Sequence, residues 1–180
     1  MTERDPLVLV FSLPVWLVGR LIPFLTTFSL VVLANLPVSF TGGLLPAPAL
    51  ALAAIYFWTV MRPGLMPPAA VLAIGLSEDL LSGGPPGLWG AGFLAAYVLI
   101  DRQRKILVEL NGAGSLIAFT GAVLLAGATA YALASAIYLR FVPLPPLLLE
   151  SFVTVILYPL VDRPLHWADR SISRLLGGGG

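Results

Sequence analysis

The sequence predicts an all-α, polytopic integral membrane protein with six transmembrane helices, and three observations carry that expectation. First, 58% of the 180 residues are hydrophobic and only 11% are charged, with a mean hydropathy of +0.96. Average globular chains are about 45–50% apolar and about 25% charged, and a single domain of this size needs polar groups on a large exposed surface. A soluble enzyme is therefore not expected. Second, the few charges and the Pro/Gly clusters punctuate long apolar runs, each near the ~20 residues a bilayer span requires. Third, the basic residues divide very unequally once six spans are drawn. Ten Lys+Arg against nine Asp+Glu give a net charge of +1, too balanced for a nucleic-acid partner. The absence of cysteine excludes disulfide frameworks, thiolate-ligated metals and thiol catalysis.

The elements follow in order. Met1 to Asp5 is polar, and an apolar run extends from Leu7 to Gly19 before Arg20 interrupts it. Residues 1–20 are read as an interfacial or apolar extension around Pro14 and Trp16, with the first span starting at about Leu21 and reaching Leu36. An earlier start would leave Arg20 to snorkel. Asn35 to Pro48 is an uncharged loop rich in Pro and Gly, and Ala49 to Met61 forms most of the second span. Arg62-Pro63-Gly64 makes a tight turn. The third span runs from about Leu65 to Leu81 with Glu78 and Asp79 near its far end, and Ser82 to Gly87 is a second reversal. The fourth, Leu88 to Ile100, ends at the cluster Asp101 to Lys105. Leu110 to Leu139 carries no charge, so its Asn111-Gly112-Ala113-Gly114 start is expected at the interface. Arg140 to Pro146 closes that span and Leu147 to Val161 gives the sixth. Residues 1–180 thus form one membrane domain, with a bundle over about 21–161 and a cytoplasmic tail over 162–180.

With the N-terminus in the cytoplasm, Arg4, Arg20, Arg62, Arg102, Arg104, Lys105, Arg163, Arg170 and Arg174 all fall inside and only Arg140 falls outside. The excess of Lys and Arg in short cytoplasmic loops then places both ends inside.

Ionisable groups within a bilayer point to function by default, yet none lies near the middle of a span. Glu78, Asp79, Glu150 and Arg140 fall at the outer level, and Glu109 near the inner start of span five. Span ends account for most of these. The outer group is the exception. Successive helical residues point ~100° apart, so one of Glu78 and Asp79 is expected to face the bundle and the other the loop or headgroups. Asp79 is expected to brace the Gly-Pro turn that follows it, and Glu78 or Glu150 to face an outer crevice with Arg140. No P-loop, no His-Glu-x-x-His pattern and no Ser/His/Asp geometry is present. His166, the single histidine, reads as an interfacial side chain beside Trp167. No catalytic residue, cofactor or metal site is expected. Small residues recur at four-residue spacing in Ala91/Ala95, Gly92/Ala96, Ala126/Ala130/Ala134 and Ala128/Ala132/Ala136, a pattern that lets helices approach closely in lipid, either within the bundle or against a partner's span.

Arg62-Pro63-Gly64-Leu65-Met66-Pro67, then Gly75-Leu76-Ser77-Glu78-Asp79-Leu80-Leu81-Ser82-Gly83, then Pro85-Pro86-Gly87-Leu88 resemble the core signature of the bacterial rod shape-determining protein MreD family. The basic cluster after span four and Leu157-Tyr158-Pro159-Leu160 are similar to it as well, and the resemblance covers the chain from Arg20 to Arg174. Pro86 stands where that family usually has leucine, and the Leu7–Gly19 run extends beyond its core. The resemblance implies a non-enzymatic inner-membrane scaffold of the cell-elongation machinery. It would act with the bitopic protein MreC and be linked to MreB, to RodA and to RodA's transpeptidase partner. It also implies a fold similar to the substrate-binding subunits of energy-coupling-factor vitamin transporters. The interaction candidates are Arg62, Pro63, Glu78, Asp79, Ser82, Gly83, Pro85, Gly87 and Glu150. The alternative is a small transporter subunit binding a vitamin-like ligand in an outer pocket near Glu78, Glu150 and Trp89.

Overall fold

A computed structural model describes residues 15–36, 47–110 and 112–177. Among them are six α-helices and no strand. The helices are α1 (Val15–Ala34), α2 (Leu50–Met61), α3 (Pro68–Ser82), α4 (Leu88–Leu107), α5 (Ala113–Tyr138) and α6 (Leu144–Gly177), with one 3₁₀ turn at Pro63–Leu65. The run at residues 7–14 and most of the loop expected over 35–48 lie outside the described residues.

Helix α2 is the centre of the bundle. Every residue from Leu50 to Val60 is buried, and the helix packs against α1, α4, α5 and α6. Its 12 residues rise only ~18 Å at ~1.5 Å per residue. Because longer helices enclose it, it needs no surface matched to a bilayer. Its first turn is braced from outside: the Ala49 N–H donates to Thr154 Oγ1 on α6 at 3.0 Å.

Helices α5 and α6 have the opposite character. Each contains a stretch long and apolar enough to cross a membrane, over Ala113–Tyr138 and Leu144–Arg170, and most of the apolar 18-residue window within each is left unburied. Ile117, Leu124, Phe152, Ile156 and Leu160 face outward. Continuous exposed apolar surface of this kind marks contact with lipid or with another protein.

Close backbone approach sets how α3, α4 and α5 cross. A Cβ built on Gly75 would lie 2.5 Å from the Gly90 Cα, and one on Gly92 would lie 2.9 Å from the Ala126 carbonyl oxygen. The Gly92/Ala96 and Ala126/Ala130/Ala134 stripes are therefore internal packing, all five residues being buried. Ala128, Ala132 and Ala136 form the outward stripe of the same α5.

Three boundaries differ from the sequence expectation. Helix α1 begins at Val15 and passes Arg20 without a break, as the earlier start would have it rather than a start at Leu21. Helix α4 continues beyond Ile100 through the charged cluster to Leu107, since Arg, Gln and Lys are good helix formers and Arg104 and Lys105 in the last turn complement the helix dipole. Helix α6 runs on past Val161 to Gly177, through Pro159 and Pro164, so most of the expected tail is an extension of the last helix.

Candidate functional site

The polar residues gather at the two ends of the bundle. At one end the chain reverses between α3 and α4. Helix α3 closes on Gly83, whose φ of 71° is a left-handed conformation that glycine adopts without steric cost. The Asp79 carbonyl accepts from the N–H groups of Gly83 and Gly84, and the Ser82 hydroxyl donates to it at 3.4 Å. Gly87, at φ 95°, is the N-cap of α4, and the Leu88 N–H donates to the Pro85 carbonyl at 3.3 Å. With glycine at the N-cap, no capping side chain comes from the helix itself.

Asp79 supplies the cap from across the turn. Its carboxylate accepts from the Gly87 and Trp89 N–H groups, each at 2.7 Å, and from the Gly90 N–H at 3.3 Å. The first N–H groups of a helix have no partner within it and carry the positive end of its dipole. A carboxylate there satisfies both needs, and Asp79 is fully buried in doing so.

Glu78 is buried too, at 4% exposure. The two neighbouring acids divide as expected, Glu78 toward Asn35 and Asp79 toward the turn, but neither is left exposed. Helix α3 is covered on two sides, by α4 and by α1, so two directions ~100° apart both lead inward. Glu78 Oε1 accepts from Asn35 Nδ2 at 2.8 Å, beyond the last turn of α1. Its other oxygen, Oε2, is buried without a partner.

Glu150, on α6, lines a cavity of about 230 Å³ together with Trp89, Tyr131 and Leu147. Arg140 does not join these acids. Its guanidinium sits 5.9 Å from the centre of the Tyr138 ring, and the expected grouping of Arg140 with Glu78 or Glu150 is not formed as an ion pair.

The opposite end is held by arginines. Arg62 follows α2, and its N–H closes that helix on the Trp58 carbonyl at 2.7 Å. Pro63 opens the 3₁₀ turn, a first position where its missing N–H costs nothing. The Arg62 Nε donates to Asp169 Oδ1 on α6 at 2.8 Å, and a second guanidinium nitrogen donates to the Ser173 hydroxyl. Arg104 Nε donates to the Val60 carbonyl at 3.0 Å, capping the C-terminal end of α2 from α4. The structure thus brings Asp79, Ser82, Gly83, Pro85 and Gly87 into one turn, with Glu78 and Glu150 beside it. Arg62 and Pro63 belong to a separate site at the other end.

A cavity of about 570 Å³ lies at this Arg62 end and is lined by Tyr56, Ser115, Tyr158, Asp162 and His166 among others. The Ser115 and Tyr158 hydroxyls are 3.0 Å apart, and the Tyr56 hydroxyl lies 3.4 Å from the Ser115 carbonyl. His166 Nε2 is 3.4 Å from Asp162 Oδ2, and its ring stands edge-on to Phe57 with centroids 4.8 Å apart. Sequence reasoning left this cluster out. The signal for it was the spacing Tyr158, Asp162, His166, which puts three polar side chains on one face of a helix.

No family pattern, no curated protein and no solved structure matches this chain.

Proposed function

We propose that this chain is a non-catalytic, six-span scaffold of the bacterial cell-elongation machinery. It sits in the inner membrane with both ends in the cytoplasm, binds MreC, and stands in one complex with MreB, RodA and RodA's transpeptidase partner, helping to control cell shape and lateral peptidoglycan synthesis. The fold expected with that reading is similar to the vitamin-binding subunits of energy-coupling-factor transporters.

One observation carries the proposal. The residues of the rod-shape signature are the ones that hold the turns: Arg62 and Pro63 at one end, and Asp79, Ser82, Gly83, Pro85 and Gly87 at the other. A sequence signature spent on bundle geometry, rather than on groups converging in a pocket, suits a protein whose product is its shape. The outward Ala128/Ala132/Ala136 stripe and the exposed apolar side chains of α5 and α6 add a surface on which a bitopic partner's helix can pack.

The vitamin-binding alternative draws less support. The cavity beside Glu150 and Trp89 measures about 230 Å³, below the ~300–1,000 Å³ usual for small-molecule sites. The test is co-purification. The full chain, extracted in mild detergent from cells that also express MreC, should retain MreC and no stoichiometric metabolite on mass spectrometry. A tightly held small molecule with no MreC would overturn the proposal.

A further inference from the structure

The last turns of α6 sort their charges by face. Asp162-Arg163 and Asp169-Arg170 repeat at a spacing of seven residues, so both acids share one face and both arginines share another, ~100° round the helix. The acids turn to the bundle. Asp169 accepts from the Arg62 guanidinium, and Asp162 lines the cavity beside Tyr56 and Ser115. Arg163 and Arg170 are exposed, and neither forms an ion pair among the described residues. With His166 and Trp167 they line an open cavity of about 300 Å³ whose wall holds no carboxylate. These four positions, i, i+3, i+4 and i+7, make one basic patch on a helix surface. His166 stands at its edge, 3.4 Å from Asp162. Phe152, Ile156 and Leu160, all exposed, lead to Arg163 in steps of four, four and three residues. The outward apolar stripe of α6 therefore runs directly into the patch.

We infer that this patch binds the phosphate of an anionic phospholipid headgroup, with the acyl chains lying along the apolar stripe of α6. A guanidinium meets phosphate oxygens with two parallel N–H donors. Arg163 and Arg170 stand about 10 Å apart along the helix axis, and the cavity between them is where their donors converge. Trp167 lies between the two arginines in sequence and lines the same cavity, and tryptophan suits the headgroup level, one side of its ring apolar and the other wet. The stripe chooses a lipid over a free phosphate. A soluble anion would leave Phe152, Ile156 and Leu160 uncovered, whereas acyl chains cover them in the same binding event. Net charge then chooses among lipids. Phosphatidylglycerol carries an uncompensated phosphate, while the ammonium of phosphatidylethanolamine is repelled by the arginines. The inference rests on the membrane reading and is independent of MreC.

Native mass spectrometry of the full chain in detergent tests this, after titration with phosphatidylglycerol or with phosphatidylethanolamine of the same acyl chains. Phosphatidylglycerol should be retained at least fivefold better. In the double variant Arg163→Gln/Arg170→Gln that preference should fall below twofold. The control removes the same charge from α4, in Arg102→Gln/Lys105→Gln. Both of those residues are exposed, and Arg104 between them reaches the Val60 carbonyl, which puts them at the same end of the bundle. There the fivefold preference should persist. Equal retention of the two lipids by the wild-type chain overturns the inference without recourse to any variant. Equal losses in the two double variants also overturn it, since attraction to overall charge would then suffice. Glycerol 1-phosphate at the same concentration should not be retained; retention matching that of the lipid would assign the patch to a free phosphate and overturn the lipid. Release of the chain from cell membranes by alkaline carbonate would instead strike the membrane reading. A chain that stays in the membrane and holds both lipids equally overturns this inference alone.

Discussion

The two chain reversals flanking α3 solve the same problem with opposite charges and unequal burial. The turn at Ser82–Gly87 is held by a carboxylate that accepts from three N–H groups while wholly buried. The turn at Arg62–Leu65 is held by a guanidinium reaching Asp169, and the two side chains remain 33% and 22% exposed. The difference is one of dielectric. Buried donors left without an acceptor cost ~1–3 kcal/mol apiece, whereas an ion pair in contact with water contributes ~0–1 kcal/mol because water competes for both partners. Loss of the first turn should therefore damage the bundle, and loss of the second should only loosen its last helix.

The largest effect expected is that of Asp79→Ala, on the order of 3 kcal/mol or more, because it orphans the Gly87, Trp89 and Gly90 N–H groups together. It should appear as a marked fall in melting temperature in detergent and in the yield of folded protein. Asp79→Asn, which keeps one acceptor oxygen, should recover part of the loss. A wild-type melting curve for Asp79→Ala would mean that those N–H groups find other acceptors, and the contrast between the turns would collapse.

Next in size is Gly87→Ala. Its φ of 95° forces a side chain into left-handed backbone space, at about 1–2 kcal/mol, and the same melting assay reads it. The smallest is Arg62→Ala. It should cost no more than about 1 kcal/mol, and the cost should shrink further as salt is raised, since exposed charges are screened. A double-mutant cycle with Asp169→Ala measures the coupling directly. A coupling above about 2 kcal/mol at Arg62–Asp169 would place the two turns on an equal footing.

Asp79 was legible before any coordinates. An acid one turn before Gly83, with Pro85-Pro86-Gly87 and an apolar run following, leaves a helix start without a cap of its own and a carboxylate close enough to serve. Glu78 was not. The helical period says that adjacent residues diverge, but it cannot say that both directions are covered by neighbouring helices. The Arg62 end shows the same limit. The Tyr158, Asp162, His166 spacing is local, yet its companions Tyr56 and Ser115 come from α2 and α5, and nothing in a linear chain puts them together. That the polar segment after Val161 continues the last helix was not legible for a different reason. Pro159 and Pro164 lie inside that helix, and a helix tolerates proline when neighbours re-satisfy its freed carbonyls.

The sequence alone determined that the chain is helical and apolar and that its charges punctuate the apolar runs; of the six spans it predicted, two are long and apolar enough to cross a membrane. Those properties depend on composition and on spacing along one chain. Only the tertiary structure decided which helix is enclosed and which are left outward. Helices α2 and α5 are apolar on every side, so neither carries a polar face that would tell the surroundings from the core. Backbone contacts at Gly75–Gly90 and Gly92–Ala126, together with the carboxylate of Asp79, set the packing that buries α2 and leaves α5 and α6 exposed.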